Sequence, residues 1–241
     1  MFKFFAKTTK SYLKEKNEDA LLINNTIIND LGKGSSIKED ILLAIADGVG
    51  GSKYGEIASN YILKQLSENR KLLSHQIILN IIKNTHTYLQ KTYNYQSLTV
   101  ITVVWINKEN IFIYHVGDTR VYLMTKRNFI QLTNDHTYVQ ELVDKGVLSD
   151  NMKSSHTKKN IITQAVGGRD ELKIDIYKGL IEPEQKLLLT TDGIHDYIND
   201  KNIYKILSKS NNLEKNVDEL INFAKENSSK DDISALVLYY K

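Results

Sequence analysis

The chain has no cysteine. Structural disulfides and thiolate-bound metals are excluded, and so is a cysteine nucleophile. No serine stands in a Gly-x-Ser-x-Gly elbow either, which leaves water as the candidate nucleophile. Proline occurs once, at Pro183, and no stretch is rich in Pro, Gly and Ser together. Without such a linker or a repeat of fixed period, one domain over residues 1–241 is expected. No run approaches the roughly 20 apolar residues that a membrane helix needs. The opening Met1-Phe2-Lys3-Phe4-Phe5-Ala6-Lys7 is too short an apolar stretch for a signal peptide and alternates like a first strand. Nor is there an excess of one charge. Lys and Arg number 32 against 29 Asp and Glu, a net charge of +3, too balanced for nucleic acid to be the main partner. A cytoplasmic enzyme, monomeric and without membrane insertion, is the expectation.

What the sequence does have is carboxylates at the ends of apolar runs. Ile41-Leu42-Leu43-Ala44-Ile45-Ala46 ends at Asp47-Gly48, and Lys186-Leu187-Leu188-Leu189-Thr190-Thr191 ends at Asp192-Gly193. A buried strand that stops at an aspartate delivers a carboxylate to the rim of the core, and the glycine lets the chain turn there. Asn17-Glu18-Asp19 and Asp231-Asp232 add further oxygen ligands, suited to hard divalent cations. Each aspartate alone reads equally well as a turn residue. If they converge, two unit charges at 4 Å repel by about 4 kcal/mol at an effective dielectric of 20, so the cluster must protonate or bind cations. Gly48-Val49-Gly50-Gly51-Ser52-Lys53 lacks the order of a phosphate-binding loop and reads as a tight turn. His115, His136, His156 and His195 show no zinc-ligand spacing.

Periodicity predicts strands at 20–28, 40–46, 98–106, 110–116, 119–124, 128–132, 172–179, 185–191 and 233–240. It predicts helices at 54–69, 74–92, 136–145, 199–209 and 213–227. Ile57, Ala58, Tyr61, Ile62 and Leu66 make the apolar stripe of the first helix. Ile77, Ile78, Ile81, Ile82, Tyr88 and Leu89 make that of the second, with Ser74 as N-cap. Gly146 ends the third helix. The polar segment 145–160 reads as a substrate-facing flap. Strands in antiparallel runs with paired helices indicate an α+β layered domain.

Seven motifs, in order, closely resemble the protein phosphatase 2C family. They are Lys14 to Asp19, Ala46 to Gly51, His115 to Arg120, Leu132 to Thr137, Asn160 to Gly168, Thr191 to Asp196, and Lys230 to Ser234. The resemblance spans residues 8–240 and is to the compact bacterial type, with no added regulatory domain. It implies a four-layer sandwich, two antiparallel β-sheets packed face to face with helices outside both. It implies two Mn²⁺ or Mg²⁺ ions, and a third, weaker one. Asp47 would bridge two ions, the Gly48 carbonyl would bind one, and Asp192 and Asp231 the other. Glu18 and Asp19 would act nearby through water, and Asp118 with Asp192 would hold the third ion. Lys14 would grip the substrate phosphate. The implied reaction is hydrolysis of phosphoserine and phosphothreonine on proteins by a hydroxide shared by the metals, with Lys14, Asp47 and Asp192 as the catalytic set. Phosphorylated proteins, a serine/threonine kinase among them, would be the partners. A small phosphorylated metabolite as substrate, or a catalytically silent phosphoprotein-binding member of the same fold, are the alternatives.

Four positions depart from the family's usual form. Lys14 stands in place of an arginine and loses the bidentate fork while keeping the charge. Asp232 replaces an asparagine, and either re-tunes the metals or hydrogen-bonds locally. Val49 takes the place of a histidine proposed as general acid in many eukaryotic members, and cannot donate a proton. A metal-bound water is then the first choice of acid and His136 the second. Gln164 replaces an arginine, with no physical account from sequence.

Overall fold

A computed structural model describes residues 1–30, 32–38 and 40–241. Among these described residues, twelve strands form two six-stranded antiparallel sheets. The first sheet contains β1 (Phe2–Thr9), β4 (Lys33–Ile37), β8 (Arg120–Met124), β9 (Phe129–Gln131), β11 (Lys186–Thr190) and β12 (Ile233–Tyr240), in the order β4-β1-β12-β11-β8-β9. The second contains β2 (Asp19–Ile23), β3 (Thr26–Ile28), β5 (Ile41–Gly48), β6 (Thr99–Asn107), β7 (Asn110–Val116) and β10 (Asp175–Leu180), in the order β10-β7-β6-β5-β2-β3.

Alternation along each strand explains why the central strands are apolar throughout. In β5, Ile41, Leu43 and Ile45 enter the core between the sheets, while Leu42, Ala44 and Ala46 face outward under α1 (Gly55–Glu68) and α2 (His75–Tyr93). In β12, Leu236 and Leu238 face inward, and Ala235 and Val237 pack beneath α5 (Asp200–Ser208) and α6 (Leu213–Glu226). A strand covered on both faces has no solvent side on which to place polar residues. The expected four-layer α+β sandwich is the observed architecture. No helix among the described residues is long and apolar enough to cross a membrane.

Several expectations need adjustment. The predicted strand 20–28 is a hairpin, turned at Asn24 with φ +52°. The strand β4 has no apolar pattern and was not expected. Ser74 caps α2 by accepting from the Ile77 N–H at 3.3 Å, as predicted. Tyr61 and Tyr88 leave their predicted apolar stripes and stack on one another at 4.4 Å, Tyr88 being exposed. Within the flap segment, residues Asp150–Ser155 form a short 3-10 helix rather than an irregular loop.

Candidate active site

One end of the sandwich gathers the acidic motifs, because strand register leaves no other place for them. Asp19 opens β2 and lies opposite Asp47 near the end of β5. Thr190 at the end of β11 pairs with Arg120 at the start of β8 and with Ala235 near the start of β12. That register carries Asp118, Asp192, Asp231 and Asp232 to the same rim. Asp192 does not end a strand, as expected, but opens the single turn α4 (Asp192–His195). Gly193 is required there, since a Cβ would lie 2.0 Å from the Asp232 carbonyl oxygen. Gly117 turns the chain ahead of Asp118 at φ +106°, a conformation that suits glycine.

Asp19 joins the two sheets. Its Oδ2 accepts from Ser234 Oγ at 2.6 Å and from Thr191 Oγ1 at 2.9 Å, and the residue is buried. Its Oδ1, and Asp192 Oδ1, are buried without any hydrogen-bond partner. Burial pushes the Asp19 carboxyl up to about 7, with Asp232 adding to the effect. Burial, then the charges of Asp19, Asp192, Asp231 and Asp118, hold Asp47 well above the usual carboxylate range. Asp192 is raised in the same way by burial and then by Asp231, Asp118 and Asp196. Asp118 rises to about 7 through burial and Asp135, against the opposing charge of Arg120.

Lys14 provides a protein cation in this set. Its Nζ lies 2.8 Å from Glu18 Oε2, 2.5 Å from Asp231 Oδ1 and 3.3 Å from Asp232 Oδ2. Burial works against its charge, but hydrogen bonds to Asp231 and Glu18 outweigh that and keep it protonated. Among the described residues, no three acidic or imidazole side chains are already drawn around one point as a closed coordination shell. The donor set nevertheless fits hard cations. It is all oxygen, two of its buried oxygens lack any donor, and its mutual repulsion calls for positive charge. Asp19, Asp47, Asp192, Asp231, Glu18 and the Gly48 carbonyl are the groups at hand.

On the side of Asp118 and Asp192 lies a cleft of about 530 Å³. The flap contributes Asp150, Lys153, Lys159 and Asn160 to its lining. Lys159 Nζ reaches Asp196 Oδ2 at 2.6 Å, so this part of the flap is tied to the floor. Asp196, one helical turn beyond Asp192, was quoted within a motif but not read as a site residue, although i,i+4 spacing puts the two on one face. The buried pair of Arg120 with Asp135, 2.6 Å apart, also lines the cleft and was missed.

The departures separate clearly. Asp232 Oδ1 accepts from the Ser11 N–H at 2.7 Å and its Oδ2 from the Glu18 N–H at 2.8 Å. It is a local staple, one of the two roles considered for it. His136 is not placed to act as an acid. Its Nδ1 accepts from the Gly117 N–H at 3.1 Å, its Nε2 faces Asp175 Oδ2 at 3.2 Å, and the residue is buried. Gln164 Oε1 accepts from the Lys173 N–H at 2.9 Å, a loop tie rather than a site contact.

Known proteins resemble this chain in sequence and in fold. A family model described as "Protein phosphatase 2C" matches residues 5–142. Protein phosphatase PhpP of Streptococcus pneumoniae is 28% identical over 209 residues, covering 82% of this chain and 85% of the relative. A serine/threonine phosphatase, stp, of Listeria welshimeri is 27% identical over 210 residues, covering 82% and 83%. The crystal structure of serine/threonine phosphatase Stp1 from Staphylococcus aureus superimposes with a TM-score of 0.86 at 27% identity, covering 100% of this chain and 96% of that one.

Proposed function

Since this chain belongs to the protein phosphatase 2C family, we propose that its acidic rim hydrolyses phosphoserine and phosphothreonine monoesters on proteins with the help of divalent cations. The observation that carries the reading is the pair of buried, donorless oxygens, Asp19 Oδ1 and Asp192 Oδ1, in a cluster of mutually repelling carboxylates. A dianionic phosphate cannot approach such a rim unless cations offset its charge. Two Mn²⁺ or Mg²⁺ ions fit this role, held by Asp47, Asp192, Asp231 and the Gly48 carbonyl, with Glu18 and Asp19 beside them. Asp118 and Asp192 offer a third, weaker position. When bound, the ions lower the pKa of water and offset charge on the phosphoryl oxygens.

The chain's own residues do the rest. Lys14 moves from its carboxylate partners to the phosphate, an exchange of one anion for another that keeps its ammonium paired. Thr191 and Ser234 hold Asp19 in one rotamer across the two sheets. Asp232 ties the Lys14 turn and the Glu18 backbone together, so the phosphate grip and the acidic rim keep a fixed relation. The whole chain serves as one catalytic domain. Reversal of a serine/threonine kinase, within the cytoplasm, is the corresponding role, and phosphorylated proteins are the partners.

The test is phosphate release from a phosphothreonine peptide, with Mn²⁺ and with chelator, for wild type and Asp192→Asn. Metal-dependent release that collapses in the variant supports the reading. No release from folded, metal-loaded wild type across several phosphopeptides would point to a silent binding protein instead.

A further inference from the structure

Asp118 sits on a short crossing between the sheets. The strand β7 ends at Val116 in the second sheet and β8 begins at Arg120 in the first, so Gly117, Asp118 and Thr119 carry the chain across at the rim. A carboxylate on such a link takes its direction from the backbone on either side of it. On one side, Gly117 is held twice by His136. The Gly117 carbonyl accepts from the His136 N–H at 2.7 Å, and the Gly117 N–H donates to His136 Nδ1 at 3.1 Å. A Cβ at Gly117 would lie 2.1 Å from Val100 Cγ1, so the link is also packed closely against β6.

On the other side, Thr119 is held by Thr102 of β6, and both residues are buried. Thr102 Oγ1 lies 3.1 Å from the Thr119 carbonyl oxygen, 2.7 Å from Thr119 Oγ1 and 2.8 Å from His115 Nδ1. A hydroxyl has one proton to give and two lone pairs to receive with. The carbonyl can only accept, so the Thr102 hydroxyl donates to it. It then accepts from the Thr119 hydroxyl and from the His115 Nδ1–H. Every hydrogen-bonding capacity of Thr102 is spent on the residue after Asp118 and on the histidine behind it.

We propose that Thr102 is a positioning residue for the third, weaker cation: by tying Thr119 to β6 it holds the Asp118 carboxylate beside Asp192. The inference rests on the phosphatase reading above. Packing alone does not ask for a hydroxyl here. Val104, the next inward residue of β6, belongs to the core between the sheets, and Thr102 lies opposite Ile45 of β5. An apolar side chain of the same shape would fill the place. Asp118 and Asp192 are close enough for the charge of one to raise the carboxyl of the other, and two such groups turn apart unless the backbone forbids it. A site with few protein ligands depends most on that restraint, and loss of a partner that orients a ligand typically weakens metal binding about 10- to 100-fold.

The experiment is a calorimetric Mn²⁺ titration of wild type, Thr102→Val, Thr102→Ser and Asp118→Asn, with melting curves in chelator and phosphate release from a phosphothreonine peptide measured alongside. Asp118→Asn identifies the weaker ion as the binding phase that it abolishes. Thr102→Val should weaken that phase about tenfold or more while the tighter ions bind within about twofold of wild type. Thr102→Ser keeps the hydroxyl and should restore the weaker phase. A weaker phase left unchanged in Thr102→Val overturns the proposal. So does an equal weakening of every ion, which is what general loosening of the fold would give. If melting curves show that Thr102→Val does not fold, Thr119→Val decides. It removes one of the three bonds and should weaken the same phase about threefold or more, and no change there overturns the proposal. A wild type that hydrolyses the peptide with Mn²⁺ but shows no phase sensitive to Asp118→Asn overturns the positioning role and leaves the phosphatase reading intact. A folded wild type that neither binds Mn²⁺ nor releases phosphate removes both.

Discussion

Asp19 and Asp47 are directly opposed cross-strand partners in the β2–β5 register. Like charges so placed oppose sheet pairing, and both carboxyls are raised by burial and by neighbouring acids. The rim is therefore organised for something other than stability of the bare chain. Asp47→Asn should stabilise the chelated protein by about 1–2 kcal/mol, since it removes the most crowded of these charges. It should also lower phosphopeptide hydrolysis by about a hundredfold or more. Urea melts in chelator and phosphate-release assays in Mn²⁺ check the two halves. A variant that is both less stable and fully active would contradict them.

The raised carboxyls also set a pH dependence. Asp19 and Asp118, both near 7 in the folded chain, retain protons that the unfolded chain has already lost. Stability due to them is full below about pH 4 and declines as pH rises through 7. His115, lowered to about 4 by burial and by the charge of His136, acts in the opposite sense below about pH 6.5. The clear window is therefore above that value. In chelator, the melting temperature should fall between about pH 6.5 and 8, and saturating Mn²⁺ should reduce or abolish the fall. A calorimetric pH series with and without metal reads this directly. A chelated melting temperature that rises through the window would sink the idea.

Asp232 contributes a carboxylate where both oxygens are used. An amide in its place keeps one acceptor and turns an N–H group toward the Ser11 or Glu18 backbone donor. Asp232→Asn should therefore cost about 1–3 kcal/mol of stability, the usual penalty for a buried donor left unsatisfied. The same change should alter metal affinity less than Asp231→Asn does. Denaturant titration and calorimetric metal titration of the two variants separate the effects. A large loss of metal affinity with unchanged stability would reverse the assignment.

His136 Nδ1 accepts from the Gly117 N–H, and its Nε2 is buried 3.2 Å from Asp175 Oδ2. Loss of a general acid typically costs about 10²–10⁴ in rate. His136→Asn keeps an acceptor for Gly117 and should retain turnover within about threefold, with the same pH–rate profile. Its stability should fall, because the contact with Asp175 is lost. A pH–rate profile that lost its basic limb would restore His136 as the acid.

Much of this was legible in local pattern. Ile41 to Ala46 reads as a strand buried on both faces because its alternate residues meet two different cores. Its end at Asp47-Gly48 places a carboxylate at the rim whatever the rest of the chain does. The strand β4 was not legible. Lys33-Gly34-Ser35-Ser36-Ile37 is an exposed edge with no apolar alternation, and its pairing to β1 alone makes it a strand. The short helix at Asp192 was also hidden, since four residues carry too little periodicity to be seen.

The sequence by itself determined the carboxylates at the ends of apolar runs, the absence of thiol chemistry, the order of the motifs and the layered α+β class. Those follow from residue type and short-range spacing, which are local properties. Only the tertiary structure decided that Asp19 crosses between the sheets to Thr191 and Ser234. It also decided that Lys14 lies among three carboxylates, that Asp232 is a backbone staple, and that His136 is turned away from chemistry. Each of these is a contact between residues far apart in the chain, set by strand register and by which buried donor finds which acceptor, and no local pattern encodes that choice.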